Sequence, residues 1–156
     1  QEVEDIAVYN GTEEDSVQGV SMVSAKVESA SPVKSTNPIA VSLTLKSDAV
    51  HEELHVNLQL KTAADVHLLQ SSSKAVSIKK GETVKFNFEI PAGLLNEAQY
   101  KVSFNYVLNK STTIHTAYDV VRFSVIEDYA TNELSWFGKT PGLLSQKLNT
   151  SIESLN

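Results

Sequence analysis

The chain of 156 residues has no cysteine. A disulfide framework, a thiolate metal site and a thiol nucleophile are therefore excluded, and a reducing compartment, the cytoplasm, is the expected setting. Basic residues are outnumbered, 13 Lys and Arg against 19 Asp and Glu, for a formal net charge of −6. That balance argues against nucleic acid as a partner, because such binding rests on cations neutralising phosphates, and against a basic membrane-binding face. Apolar runs are only a few residues long, so neither a transmembrane helix nor a signal-peptide core fits and no direct membrane insertion is expected. Glycines are isolated turn residues, as at Gly81, Gly93, Gly138 and Gly142; no phosphate-binding loop exists, and this chain cannot hydrolyse ATP alone. The opening QEVEDIAVYNGTEEDSVQG is acidic and polar with no initiator Met. It reads as a linker, residues 1–19, cut from a longer protein.

What is present is a period of two. Ile39, Val41, Leu43 and Leu45 alternate with Ala40, Ser42 and Thr44, and Val84, Phe86, Phe88 and Ile90 with Lys85, Asn87 and Glu89. Tyr100, Val102, Phe104, Tyr106 and Leu108 repeat the pattern, as do Val121, Phe123 and Val125. Such alternation marks strands with one buried face. Turn chemistry separates them at 35–38, 71–74, 79–82, 91–93 and 109–111. The strand expected over 20–27 changes phase between Met22 and Val23, as it would at a bulge or where an edge strand switches sheets. Together these predict an all-β, immunoglobulin-like antiparallel β-sandwich over residues 20–126.

HEELH at 51–55 spells H-E-x-x-H, which binds zinc only on a helix, where both imidazoles share one face. Here Leu54, Val56, Leu58 and Leu60 alternate with His55, Asn57, Gln59 and Lys61, so the motif reads as a loop entering a strand. If His51 were extended too, the two imidazoles would stand about 13 Å apart, too far for one ion. Leu58 and Lys61 also occupy the positions of the Gly and third His of the longer metzincin motif. A zinc hydrolase remains the enzyme alternative. A triad could be drawn from His115, Asp119 and a serine, but no G-x-S-x-G elbow fixes a nucleophile. No catalytic residue, metal or cofactor is expected.

Strands at 54–61, 99–108 and 113–125 are expected to be neighbours in one sheet. Strand parity puts Asn57, Gln59, Lys61, Ser103, Asn105, Tyr118 and Arg122 on its outer face. Amides, hydroxyls and a guanidinium supply fixed donors and acceptors for sugar hydroxyls, and a tyrosine ring can cover a sugar's C–H face. Asn57, Gln59, Ser103, Asn105, Tyr118 and Arg122 are the candidate carbohydrate-binding residues. Beyond them an acidic linker leads to LSWFGKTPGLLSQKLNT, whose Trp136, Phe137, Leu143 and Leu144 need a surface to cover them.

TTIHTAYDVVRFSVIED, IPAGLLNEAQYKVSFNYVLN and WFGKTPGLLSQKL together resemble the carboxy-terminal domain of Wzt-type proteins. These are the ATP-binding subunits of ABC transporters that export O-antigen and related bacterial polysaccharides. The resemblance spans about residues 20–148. It implies a non-catalytic module that recognises O-antigen polysaccharide, often at its non-reducing terminal modification. It also implies a cytoplasmic position peripheral to the inner membrane and coupling to the permease through an ATPase domain that this chain lacks. Finally it implies a homodimer in which a strand from 127–156 crosses to the partner's sheet, burying Trp136, Phe137, Leu143 and Leu144. The alternative from another class is an immunoglobulin-like assembly module of a surface protein, joined to others by strand exchange.

Overall fold

A computed structural model describes residues 4–127 and 148–155. In chain order its strands are β1 (Val8–Asn10), β2 (Val20–Val27), β3 (Val33–Lys34), β4 (Ile39–Ser47), β5 (His51–Thr62) and β6 (His67–Ser72). These are followed by β7 (Val76–Ile78), β8 (Thr83–Ile90), β9 (Ala98–Leu108), β10 (Thr112–Ile126) and β11 (Asn149–Ser154). The back sheet has the order β1-β2-β4-β8-β11, and the front sheet β3-β10-β9-β5-β6, with β7 paired to β5 beside β6. Among the described residues only β3 with β10 is parallel. No helix among the described residues is long and apolar enough to cross a membrane.

Alternation places one set of side chains from each sheet in a shared core. Leu43, Leu45, Phe86, Phe88 and Ile90 come from the back sheet and Leu54, Leu58, Leu60, Phe104 and Phe123 from the front. Phe88 and Phe104 meet across the two layers with ring centroids 6.1 Å apart. Each such side chain, fully buried, contributes about 1.5–3 kcal/mol. The fold is thus an all-β sandwich, and the three strands expected to be neighbours are adjacent, β5 to β9 and β9 to β10.

The phase change in β2 is a bulge: pairing with β4 shifts between Met22 and Ser24, and Val23 faces out at 43 % exposure. HEELH belongs wholly to β5, which begins at His51 itself, so the loop expected before Leu54 is strand. The His51 imidazole Nε2 lies 2.8 Å from the carbonyl oxygen of Gln18. Two further expectations are corrected by pairing. Ser71 and Ser72, expected in a turn, close β6, where Ser71 faces Leu58 and Ser72 faces Asn57. Within 1–19, expected as linker, Ile6 bridges to Arg122 of β10 and Val8–Asn10 pair with β2, so this stretch ties the two sheets together along one margin.

At the other margin β11 adds to β8 of the same chain, from Asn149 opposite Glu89 to Ser154 opposite Val84. Leu148 is buried just before it, its N–H donating to the Ser71 hydroxyl at 3.2 Å. Trp136, Phe137, Leu143 and Leu144 lie outside the described residues.

Candidate functional site

Strand registry brings the candidate residues onto one face of the front sheet. Asn57 of β5 stands opposite Asn105 of β9, and Gln59 opposite Ser103. Thr116 of β10 faces Asn105 from the other side, and Ser72 of β6 faces Asn57. The result is a polar row across four strands. Ser72 donates its hydroxyl proton to Asn57 Oδ1 at 2.6 Å, and Thr116 donates to Asn105 Oδ1 at 2.9 Å. With both amide oxygens so engaged, the rotamers are fixed and the amide nitrogens remain as donors. In the next row Gln59 Nε2 donates to Gln70 Oε1 at 3.0 Å. Beside Asn57, burial pushes the His55 imidazole below its usual value, with the Asn57 hydrogen bond acting the other way.

Lys61 of β5 pairs with Lys101 of β9, and Lys101 with Arg122 of β10, so three cations form one row. Like charges in adjacent ladder positions repel, and two carboxylates resolve the conflict. Asp65, in the turn after β5, lies 2.5 Å from Lys101 Nζ and 3.7 Å from Lys61 Nζ. Asp119 lies 2.9 Å from Lys61 Nζ and 3.4 Å from Lys101 Nζ. The hydrogen bond to Asp65 is the main reason the Lys101 ammonium titrates above its usual range; burial opposes it and Asp119 adds to it. Burial raises the Asp119 carboxyl, but the hydrogen bond and charge of Lys61, the charge of Lys101 and the Ser103 hydroxyl together hold it below the ordinary range.

Asp119 reaches this position through an irregularity of β10. Ala117 pairs with Phe104 and Val121 with Val102, so three residues of β10 span what one residue, Ser103, spans on β9. Asp119 has a left-handed backbone, φ 50°, and its N–H donates to the Ser103 hydroxyl at 2.7 Å. The Ser103 hydroxyl in turn donates to Asp119 Oδ1 at 3.2 Å. Parity assigned Ser103 to the outer side correctly, but the bulge covers it completely and occupies its hydroxyl. Tyr118, next in the bulge, is 71 % exposed, and Lys61 Nζ lies 5.9 Å from its ring centroid. Arg122 is half-buried, its backbone paired in both directions with Ile6, and its Nε has no hydrogen-bond partner among the described residues. Asp65, Lys101 and Asp119 are the members that sequence reasoning missed. Two lysines at outward, cross-strand positions were a signal that anions must be near.

This face is a fixed array of donors, acceptors and one open aromatic ring, suited to holding a hydroxylated ligand by many modest bonds. Among the described residues no group of three His, Asp or Glu could hold a metal ion. HEELH, as extended strand, lacks the helical geometry that zinc chemistry needs.

No family model matches the chain, and no curated protein does. Among solved structures it is similar to the crystal structure of the C-terminal domain of Wzt, with a TM-score of 0.62 and 18 % identity, over 78 % of this chain and 78 % of that one. At that identity the likeness is one of fold. Bacteroides uniformis beta-glucuronidase 2, covalently bound to cyclophellitol-6-carboxylate aziridine, matches 71 % of this chain with 12 % of its own, at 15 % identity and a TM-score of 0.42, too weak to bear on function.

Proposed function

We propose, starting from the fold shared with the C-terminal domain of Wzt, that this chain is a non-catalytic carbohydrate-binding module for a bacterial O-antigen polysaccharide, read at its non-reducing end before export by an ABC transporter. The observation that carries the reading is the Ser72, Asn57, Asn105, Thr116 row on the front sheet. Prealigned amides on a rigid sheet lose little entropy when they bind, so their hydrogen bonds to sugar hydroxyls are retained as affinity. An extended glycan lies across β5, β9 and β10, held by Asn57, Gln59, Asn105 and Arg122, with the Tyr118 ring under one sugar face. Ser103, enclosed by Asp119, supports the bulge that presents Tyr118.

The immunoglobulin-like assignment is supported by the Tyr100 hydroxyl, near the start of β9, which donates back to the Asn96 carbonyl at 2.6 Å, the corner that such domains use. The working unit is a homodimer in which the β8 edge that β11 covers within one chain takes the partner's carboxy-terminal strand instead, and Trp136, Phe137, Leu143 and Leu144 are covered. It sits in the cytoplasm, peripheral to the inner membrane, coupled to the permease through an ATPase domain.

Calorimetric titration with purified O-polysaccharide tests the assignment. Asn105→Ala and Arg122→Ala should each weaken binding by about 1–1.5 kcal/mol, roughly tenfold, with thermal stability checked in parallel. Unchanged affinity in both removes the front-sheet face as the site.

A further inference from the structure

A cleft of about 260 Å³ opens where the amino-terminal stretch passes the bulged part of β10. After pairing with β2, the chain turns at Gly11, whose N–H donates to the Val23 carbonyl at 3.1 Å, and enters a 3₁₀ turn at Glu13–Asp15. A Cβ at Gly11 would collide with the Met22 carbonyl oxygen, so only glycine lets the strap lie this close. Tyr9 and Asp15 line the cleft from the strap, and His115, Thr116 and Tyr118 from β10. Tyr106 lines it too: this residue is 2 % exposed and packs on the His115 ring with centroids 5.2 Å apart. A phenol held in a cleft wall offers a donor and an acceptor in a fixed position to a ligand hydroxyl. Burial, reinforced by the nearby Tyr9 and Asp15, keeps that phenol protonated and able to donate.

The chemistry of the walls is amphipathic. Aromatic rings and the apolar Met22 and Val120 suit C–H surfaces, while the phenol, the Thr116 hydroxyl and the Asp15 carboxylate suit hydroxyl groups. The volume lies just under the ~300–1,000 Å³ of drug-sized pockets, which fits one ring and not a chain. Thr116 also ends the polar row of the front sheet, so a glycan following that row arrives at the cleft. Among the described residues no lysine or arginine lines it, so a carboxylate brought in would meet Asp15 with no lysine or arginine to offset the repulsion.

We propose that this cleft is a subsite for a single uncharged pyranose unit, with the Tyr106 hydroxyl donating to the sugar and Asp15 rejecting acidic sugars. This rests on the carbohydrate-binding reading above and adds to it a second place and a charge preference.

Amide shifts of the ¹⁵N-labelled chain test it, with methyl pyranosides of glucose, galactose, mannose and rhamnose as neutral probes and methyl glucuronide as the acidic one. At least one neutral probe should shift amides in Tyr9–Asp15 and His115–Val120, and Tyr106→Phe should weaken that binding about tenfold. Asp15→Asn, at an exposed position and keeping an acceptor for the Thr12 hydroxyl, should admit methyl glucuronide, which the native chain should refuse. The proposal is overturned by silence of the cleft amides to every neutral probe, by equal binding in Tyr106→Phe, or by glucuronide binding the native chain as well as neutral sugars do. If polysaccharide still shifts Asn57 and Asn105 while the cleft is silent, the subsite fails and the front-sheet reading stands; if polysaccharide shifts neither, both fail.

Discussion

Asp119 is where charge, backbone and the proposed binding surface meet. A left-handed φ costs a non-glycine residue about 1 kcal/mol or more, and aspartate tolerates it better than most. The cost is offset by the ion pairs with Lys61 and Lys101 and by two hydrogen bonds with Ser103. Asp119→Ala should therefore destabilise the fold by about 1–3 kcal/mol in urea unfolding, whereas Asp119→Asn, which keeps the turn preference and an acceptor, should lose less. Asp119, Asp65 and Asp5 all have carboxyls held below their ordinary value, Asp5 against the opposing effect of burial by hydrogen bonds from Ser31, Gln99 and Ser124. A lowered folded-state value means stability that is full above the unfolded-state pKa, about 3.9, and is lost as pH falls through the folded one. The urea midpoint should stay level on this account from about pH 7 to 5 and drop below about pH 4, with a shallower drop in Asp119→Asn. An unaltered acid limb in that variant would contradict the ion-pair account. None of this was legible in the residues alone: TAYDVV reads as plain alternation gone irregular, and only pairing with β9 shows that the excess falls opposite Ser103.

Among the elements, those with strong alternation were readable because a period of two has one structural meaning when a single face is buried. β4, β8 and β9 lie where Ile39 to Leu45, Val84 to Ile90 and Tyr100 to Leu108 place them, and the bulge of β2 stands at its phase break. β6 was missed because Ser71 and Ser72 look like turn residues, and β1 because acidic neighbours mask three residues whose partners lie at Ser24 to Lys26. Pairing between distant segments is a tertiary fact that local composition does not carry. The amino-terminal stretch is held by its own chemistry: Asp5 accepts hydrogen bonds from Ser31, Gln99 and Ser124 at 2.6, 3.0 and 2.8 Å. Asp5→Ala should release this strap, lower stability by about 1–2 kcal/mol, and speed amide exchange at Ile6 and Arg122, whose backbones pair there. At the opposite margin Leu148→Ala should cost about 2–4 kcal/mol, because a fully buried leucine anchors the start of β11. Equal stability of Leu148→Ala and the parent would mean that β11 is not docked as described.

As a whole molecule the chain is a sandwich with two different outsides. The back sheet's exposed polar side chains bond in separate pairs, Lys85 with Glu28, Asn87 with Glu153 and Asn149 with Glu89, whereas the front sheet carries the Ser72, Asn57, Asn105, Thr116 row and the two lysines shared between Asp65 and Asp119. Its expected neighbours, and the outward side of Asn57, Gln59, Asn105 and Arg122, were legible from parity; the burial of Ser103 and the network around Lys101 were not, because both depend on the β10 bulge. Absence of cysteine, which at first only excluded chemistry, here makes a clean probe possible. A single thiol can be placed at Gln59 on the front sheet or at Val23, exposed on the back sheet. The rate at which a small maleimide modifies each, with and without O-polysaccharide, measures directly which face the glycan covers. Gln59→Cys should be modified more slowly when polysaccharide is present, with Val23→Cys unaffected; equal rates at Gln59→Cys, or protection at Val23→Cys instead, would contradict the account.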